Sequence, residues 1–317
     1  MSNKVIHFSI SSLLIFVVCS YFEGVFWGFY LLPHFRLHYL VASVLLMLIL
    51  TWQKKKIGRI WVFYLGALLL AALVQSVEIF PYYGKRDRGL ETINEANQTL
   101  TLFLWNTWTK NTNNQEIYEC IIDVHPQIIL LQESHHSLAD DLRNRLPSYQ
   151  FFSAGDNLFF VKEDDYLTID SFREISFTKA TGGELSFEWN SKTISLLGIH
   201  LSAPVPINKI TDRKDQVTQL IEWIKYENNS PILMGDLNTS PWSTEHKKIS
   251  ELLHDSMMGF GIQTTWPFHN IITSLLRIPL DHCFHSHELI TVNRVSMPSK
   301  GSNHRPVVVQ LQIKEEN

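Results

Sequence analysis

Hydrophobic positions follow two different rhythms along this chain. From Val5 to Phe80 they run with little interruption by charge, in stretches around Leu13 to Leu32, Tyr39 to Trp52 and Ile60 to Phe80. A helix needs about 20 apolar residues to cross a bilayer core. The third run meets that length, and the second approaches it if Arg36 and His38 sit at the interface. About three spans are expected. A cleaved signal peptide would account for one short apolar stretch only, so residues 1–84 read as a retained anchor. Glu23, inside the first run, either faces protein or water within the membrane or sits at the interface, marking where the first helix ends.

Beyond Phe80 the pattern becomes polar, with Pro81, Gly84 and the charged stretch to Gln98, and residues 85–98 read as a linker. From 99 to 317 the second rhythm takes over. Strand-length apolar runs recur between turn formers: "TLTLFLWN", "PQIILLQES", "NLFFVK", "GELSFEWN", "KTISLLGIHL", "PILMGDLN", "IPLDHCFHS" and "RPVVVQLQI". Most are apolar throughout, as in strands buried on both faces, while "GELSFEWN" alternates like a strand with one wetter face. Amphipathic helical stretches separate several of them. These are Asn114 to Val124, Asp212 to Tyr226 with Thr211 or Asp212 as cap, and Ser243 to Leu253 with Ser243 or Thr244 as cap. Two packed sheets with helices outside satisfy both patterns. Some 220 residues are enough to bury such a core without staples.

The chemistry-bearing residues fall at strand ends. Asn106 ends the first run, Gln132 and Glu133 the second, His200 the fifth, and Asp236 with Asn238 the sixth; Asp281 and Asn303–His304 border later ones. If these ends converge, they form one site of carboxylates, amides and imidazoles without a nucleophilic Ser or Cys. Such a set suits hydrolysis at phosphorus. An anionic phosphodiester calls for a hard cation on oxygen ligands, a carboxylate to align water, and donors for the transition state. Glu133 and Asp281 are natural ligands, Asp236 can orient water, Asn238 can donate to a phosphoryl oxygen, and His200 and His304 can donate hydrogen bonds or a proton.

In order and spacing, "LFLWN", "IILLQES", "GIHLSAP", "LMGDLNTSPWS", "PLDHCF" and "GSNHRPV" resemble the endonuclease/exonuclease/phosphatase superfamily, the deoxyribonuclease I-like fold, over residues 99 to 313; "TTWP" is similar to its membrane-anchored bacterial branch. The resemblance implies a four-layer αββα sandwich of two mixed sheets and Mg²⁺-dependent phosphoester hydrolysis, with Mn²⁺ as a substitute. It makes Glu133 the principal metal ligand and Asn106 its companion near metal and phosphate. Asp236 becomes the water-orienting acid, Asn238 the transition-state donor, and His200 the imidazole of the middle strand. Asp281 becomes the acid of the "DH" motif and His304 the final catalytic imidazole. Position 303 departs from the family pattern, which has Asp there, paired with the following His. Asn303 offers the ring an acceptor but no charge. Two outcomes follow: a slowed or pH-shifted hydrolase, or an inactive scaffold that keeps the fold as a binding module.

Charge and cysteine content narrow the rest. With 27 basic against 31 acidic residues, no electrostatic grip on nucleic acid is advertised, so DNA, RNA and phospholipid head groups all stay open as substrates. Trp242, Trp266, Phe268 and Arg277, in loops before the "DH" strand, could stack on a base, dip into head groups, or be buried as loop anchors. Lys54, Lys55, Lys56 and Arg59 form a tight basic loop that the positive-inside rule puts in the cytoplasm, outweighing Lys85, Arg86 and Arg88, which Asp87 partly offsets. The expected placement is therefore a bacterial cytoplasmic membrane, multi-pass, with the catalytic domain outside. Cys19, Cys120 and Cys283 are too few for a disulfide framework. Asp281, Cys283, His285 and His287 suit Zn²⁺ by type, but side chains two apart on a strand diverge from a single ion. His135 and His136 read as ordinary loop residues.

Overall fold

The computed structural model describes residues 2–84, 98–206, 209–268 and 271–314. The expected linker, with Lys85, Arg86, Asp87 and Arg88, lies outside them apart from Gln98. The remainder forms two six-stranded sheets. In the first, the spatial order is β11 (Leu289–Ser296), β12 (Val307–Ile313), β1 (Leu100–Asn106), β2 (Ile128–Gln132), β4 (Asn157–Val161) and β3 (Gln150–Ala154). In the second it is β5 (Leu167–Phe177), β6 (Ala180–Trp189), β7 (Lys192–Gly198), β8 (Ser230–Asp236), β10 (Asp281–His285) and β9 (His254–Asp255). Each sheet has a parallel pair at its centre, β1 with β2 and β7 with β8, and is otherwise antiparallel.

Alternation within the apolar runs builds the layers. Leu102 and Leu104 of β1 point between the sheets with Leu130, Phe159, Leu185, Phe187, Met234 and Cys283. Their neighbours Phe103 and Trp105 point outward against α5 (Asn114–Val124) and α6 (Leu138–Arg145). On the second sheet, Leu197, Leu233 and Phe284 meet α7 (Lys209–Tyr226) and α8 (Thr244–Ser250). Burial on both faces explains why these runs read as unbroken apolar segments. The four layers are those expected, and all three cysteines are free thiols, with Cys120 and Cys283 in the cores.

Helix ends follow side-chain caps. Asn113 caps α5 by accepting from Glu116 N–H at 3.3 Å, and Ser243 caps α8 by accepting from His246 N–H at 3.1 Å. Helix α7 already includes Lys209, so neither Thr211 nor Asp212 caps it, and the Asp212 carboxylate instead pairs with Lys179 at 2.9 Å. Helix α6 and strands β3, β5, β9 and β11 carry no long apolar run and were not expected.

The N-terminal segment differs from expectation in one respect. Helix Asn3–Cys19 (α1) has 17 residues and stops well before Leu32. The chain then turns through 3₁₀ segments Trp27–Phe29 and Leu32–Phe35 into α2 (Arg36–Trp52), and the tri-lysine turn (α3, Lys54–Ile57) leads to α4 (Ile60–Ile79). Among the described residues two stretches, Trp27–Trp52 and Ile60–Tyr82, are long and apolar enough to cross a membrane. The reason for the break is visible at Glu23. It is buried against the sandwich, where its Oε2 accepts from both N–H and Oγ1–H of Thr244 at 2.8 Å.

Candidate active site at the seam of two sheets

The parallel pairs direct the C-terminal ends of β1, β2, β7 and β8 to one end of the sandwich, and the antiparallel partners β10 and β12 begin there. Register makes this explicit: Asn106 lies opposite Gln132, and Asp236 opposite Asp281. The gap between the sheets is bridged by side chains. Buried Asn106 donates from Nδ2 to Asp236 Oδ2 at 3.0 Å, while its Oδ1 accepts from Trp108 N–H at 3.1 Å. Gln132, also buried, accepts from Asp236 N–H at 2.6 Å through Oε1 and donates to Asn157 Oδ1 at 2.6 Å. Asp236 is thus fixed from the opposite sheet through both backbone and carboxylate. Gly235 leaves room on both sides, because a Cβ there would lie 1.9 Å from Ile199 O beside it in the same sheet and 3.1 Å from Gln132 Nε2 across the seam.

Glu133 and Asn238, each just past a strand end, take the left-handed conformation with φ of 46° and 48°. Non-glycine residues pay for that geometry, and here the turn swings both side chains into the cavity. Asn238 N–H donates to Asp236 Oδ1 at 2.9 Å, and its Nδ2 donates to Leu201 O at 2.9 Å.

The two imidazoles are each held by a carboxylate from the other sheet. His200, following β7, pairs through Nδ1 with Asp156 Oδ2 at 2.6 Å, in the turn between β3 and β4. Its Nε2 lies 3.2 Å from Asn238 Nδ2, 3.4 Å from Glu133 Oε1 and 3.8 Å from Asp236 Oδ2. His304, before β12, pairs through Nδ1 with Asp281 Oδ2 at 2.8 Å and presents Nε2 3.6 Å from Asp236 Oδ2. Burial alone would lower both imidazoles. For His200 the Asp156 hydrogen bond with the charges of Asp236, Asp156 and Glu133 outweighs it; for His304 the charges of Asp281 and Asp236, the Asp281 hydrogen bond and Glu133 do the same. Both are raised to about 9.

The expected pairing of position 303 with His304 does not form. The ring's acceptor is the Asp281 carboxylate, and the 302–304 turn is fixed independently. Ser302 Oγ–H donates to Asn106 O at 2.7 Å and accepts from His304 N–H at 2.9 Å, and Trp105 Nε1–H donates to His304 O at 3.1 Å. Asn303 lines the cavity, and its buried Oδ1 has no hydrogen-bond partner among the described residues; the same holds for Asp281 Oδ1.

The residues of the alternative zinc set scatter. Asp281 serves His304, Cys283 sits in the inter-sheet core, His285 bonds Ser286 O and Thr291 Oγ1, and His287 Nδ1 lies 2.6 Å from His254 Nε2. Of the four loop residues, Trp266 lines the cavity. Trp242 is buried with its indole N–H on Glu78 O, and Phe268 carries the guanidinium groups of Arg277 and Arg305 against its ring.

Glu133, His200, Asp236, Asn238, Asn303 and His304 share one cavity of about 910 Å³. The family's sequence pattern, Endonuclease/Exonuclease/phosphatase family, matches residues 103–304, which holds every residue of this constellation. The chain belongs to the endonuclease/exonuclease/phosphatase family. Family members are phosphoester hydrolases that use divalent metals. No curated protein matches the chain in sequence. Among solved structures, TDP2 of D. rerio in complex with single-strand DNA product has 17% identity and a TM-score of 0.59, covering 68% of this chain and 100% of its own. The human Nocturnin catalytic domain with bound sulfate has 16% identity and a TM-score of 0.55, covering 69% and 96%. Mannosyl-6-phosphatase of Bacteroides thetaiotaomicron has 15% identity and a TM-score of 0.53, covering 67% and 99%. At such identities the likeness is one of fold.

Asp156 escaped the sequence reading, although "AGDNLFF" is a two-residue turn signal before a strand. So did the supporting roles of Gln132, Asn157 and Ser302. Asp156 and Gln132 act across the seam, Asn157 supports Gln132 and Ser302 holds the end of β1, and no local pattern announces such partners. One wall of the cavity was also unforeseen: Leu31, His34 and Phe35 of the N-terminal segment line it together with Phe177, Leu201, Pro204 and Val205.

Proposed function

We propose that this protein is a membrane-anchored, Mg²⁺-dependent phosphodiesterase whose substrate carries an apolar arm, a phospholipid or a related lipid phosphoester. The observation that carries the reading is the shared cavity, in which a hydrolytic constellation faces apolar residues contributed by the N-terminal segment.

The donor set fits a hard cation. Glu133 contributes a carboxylate at the cavity wall, and the buried, unpartnered Oδ1 atoms of Asp281 and Asn303 are oxygens of the kind such an ion takes. Glu133, together with Asn106, Asp281 and Asn303, would hold Mg²⁺ or Mn²⁺. When bound, the cation supplies neutralisation of charge on the phosphate oxygens. The rest of the chemistry belongs to side chains. Asp236, held in place by Asn106 and Asn238, accepts a hydrogen bond from the attacking water and aligns it. Asn238 donates to a non-bridging oxygen as charge builds there. His304, kept protonated by Asp281, donates from Nε2 toward the phosphoryl group, and His200 does so from the opposite side.

Membrane attachment is supported by the faces that α2 and α4 leave uncovered. Leu48, Phe63, Leu70 and Val77 are all more than half exposed, an apolar area that suits lipid better than water. The basic turn at Lys54–Lys56 on the cytoplasmic side would leave the sandwich outside a bacterial cytoplasmic membrane. The apolar wall and near-neutral charge favour a lipid over DNA or RNA.

The test uses the full chain in detergent micelles with Mg²⁺ or Mn²⁺. Cleavage of bis(p-nitrophenyl) phosphate that is abolished by chelator and by Asp236→Asn is expected, together with faster cleavage of phospholipid in mixed micelles than of single-stranded DNA. Hydrolysis of none of these substrates would instead support the scaffold reading, and preference for DNA would overturn the lipid assignment alone.

A further inference from the structure

Away from the cavity, between α8 and the outer face of the second sheet, three side chains from separate elements direct polar atoms at one another. They are His246 of α8, Asp255 of β9 and His282 of β10, all buried, and their donor atoms lie within 4.8 Å of one another. His246 Nε2 is 3.2 Å from Asp255 Oδ2. These two pair with each other without well-aligned hydrogen-bond geometry, and His282 Nδ1 beside them has no hydrogen-bond partner among the described residues. Interiors seldom leave such an atom unsatisfied, and three donors facing one another fit a shared partner.

The opposite atom of each group is already held. His282 Nε2–H donates to Thr239 O at 2.8 Å, which leaves Nδ1 as a lone pair. His246 Nδ1 lies 3.2 Å from Ser250 Oγ, and Asp255 Oδ1 accepts from Met257 N–H at 2.8 Å. Outer contacts of this kind fix the tautomer and orientation of metal-binding side chains. The 3.2 Å separation also matches the edge of roughly 3.3 Å expected between donors about 2.0–2.1 Å from a tetrahedral ion.

We propose that His246, Asp255 and His282 form a second, buried metal site that takes Zn²⁺. Two imidazoles and one carboxylate suit zinc, whereas Mg²⁺ and Ca²⁺ favour all-oxygen sets. A small cavity of about 330 Å³, lined by Tyr82, Pro241, Ser250 and Asp255, offers an entry path and room for a fourth ligand. The nearby Arg294 guanidinium is directed to Ser256 Oγ, Gln263 Oε1 and Asp281 O. The ion would clasp α8 and β9 to β10, the strand that begins with Asp281. It would also brace the surface on which the anchor rests, where Lys247 pairs with Glu78 at 2.8 Å.

The experiment uses full-length protein carrying Glu133→Gln and Asp236→Asn, so that the phosphoester site is crippled, stripped with chelator and dialysed against Zn²⁺ or Co²⁺. Expected are one retained equivalent of metal, a raised Tm, and the intense visible absorption of four-coordinate Co²⁺ with nitrogen ligands. His246→Phe or His282→Phe added to this background should abolish all three. Absence of retained metal, or a weak six-coordinate Co²⁺ spectrum, overturns the site. Should the histidine variants fail to fold, the Co²⁺ spectrum of the parent variant decides alone. Since the readouts are metal content and absorption, their failure is separate from failure of the hydrolase reading.

Discussion

Two imidazole–carboxylate pairs face one cavity, and each is stitched across the same seam in opposite directions. His304 comes from the first sheet and takes its carboxylate, Asp281, from the second; His200 comes from the second and takes Asp156 from the first. The distances are similar, and both rings are raised to about 9. Solvent separates them. The Asp281 side chain is fully buried, while that of Asp156 is 48% exposed. An inaccessible carboxylate cannot be replaced by water, whereas a rim carboxylate competes with it at every moment. Equal geometry therefore implies unequal dependence, with His304 relying on its partner and His200 only assisted by its own.

The most forceful way to break this asymmetry is Asp281→Asn. With the buried charge gone and the tautomer no longer specified, turnover of a soluble phosphodiester should fall by on the order of 10²–10⁴, read as kcat at saturating Mg²⁺. Asp156→Asn should cost only about fivefold, since exposed ion pairs contribute about 1 kcal/mol or less. Equal losses from the two substitutions would refute the contrast.

A smaller effect is expected in stability against pH. Both imidazoles bind their proton more tightly when folded than unfolded. Their contribution is therefore complete below the unfolded value of about 6.5 and is lost as pH rises through about 9. Urea denaturation of metal-free protein at pH 6.5 and 9.5 should show this decline, and Asp281→Asn should flatten it more than Asp156→Asn. Smallest is Asn303→Asp. Because His304 has Asp281, this change should leave the pH profile of turnover in place and tighten Mg²⁺ binding about tenfold at most by adding a charge beside Glu133, measurable by calorimetric titration.

The strands that build the seam were legible in the sequence because two-faced burial writes itself as unbroken apolar runs, and the convergence of the candidate site residues was legible because they sit where those runs stop. Strand β5 was not, since its exposed faces carry "TIDSFREIS" with no clean alternation. Partnership was harder still. Asn303 adjoins His304 in the chain and invited the pairing, yet neighbours at a turn point apart, and the carboxylate arrives from 23 residues earlier. The break after Cys19 was hidden for a related reason: residues 20–35 are as apolar as a span and leave Phe22, Val25 and Trp27 exposed, but Glu23 and Tyr30 among them turn toward protein, where they find Thr244 and Glu245.

That inward turn makes the N-terminal segment more than a leash. Arg213, buried and bonded to Glu245, also reaches Tyr30 Oη, Ser202 O and Leu237 O, at 3.2, 2.6 and 2.8 Å. Leu237 lies between Asp236 and Asn238, so one guanidinium ties the turn that carries these two cavity residues to residue 30. A flexible tether would let a hydrolase sweep a hemisphere in search of substrate. Under the proposed membrane attachment, this contact would instead set the height and tilt of the cavity above the bilayer, confining the search to two dimensions and to molecules that present their phosphate at that one level.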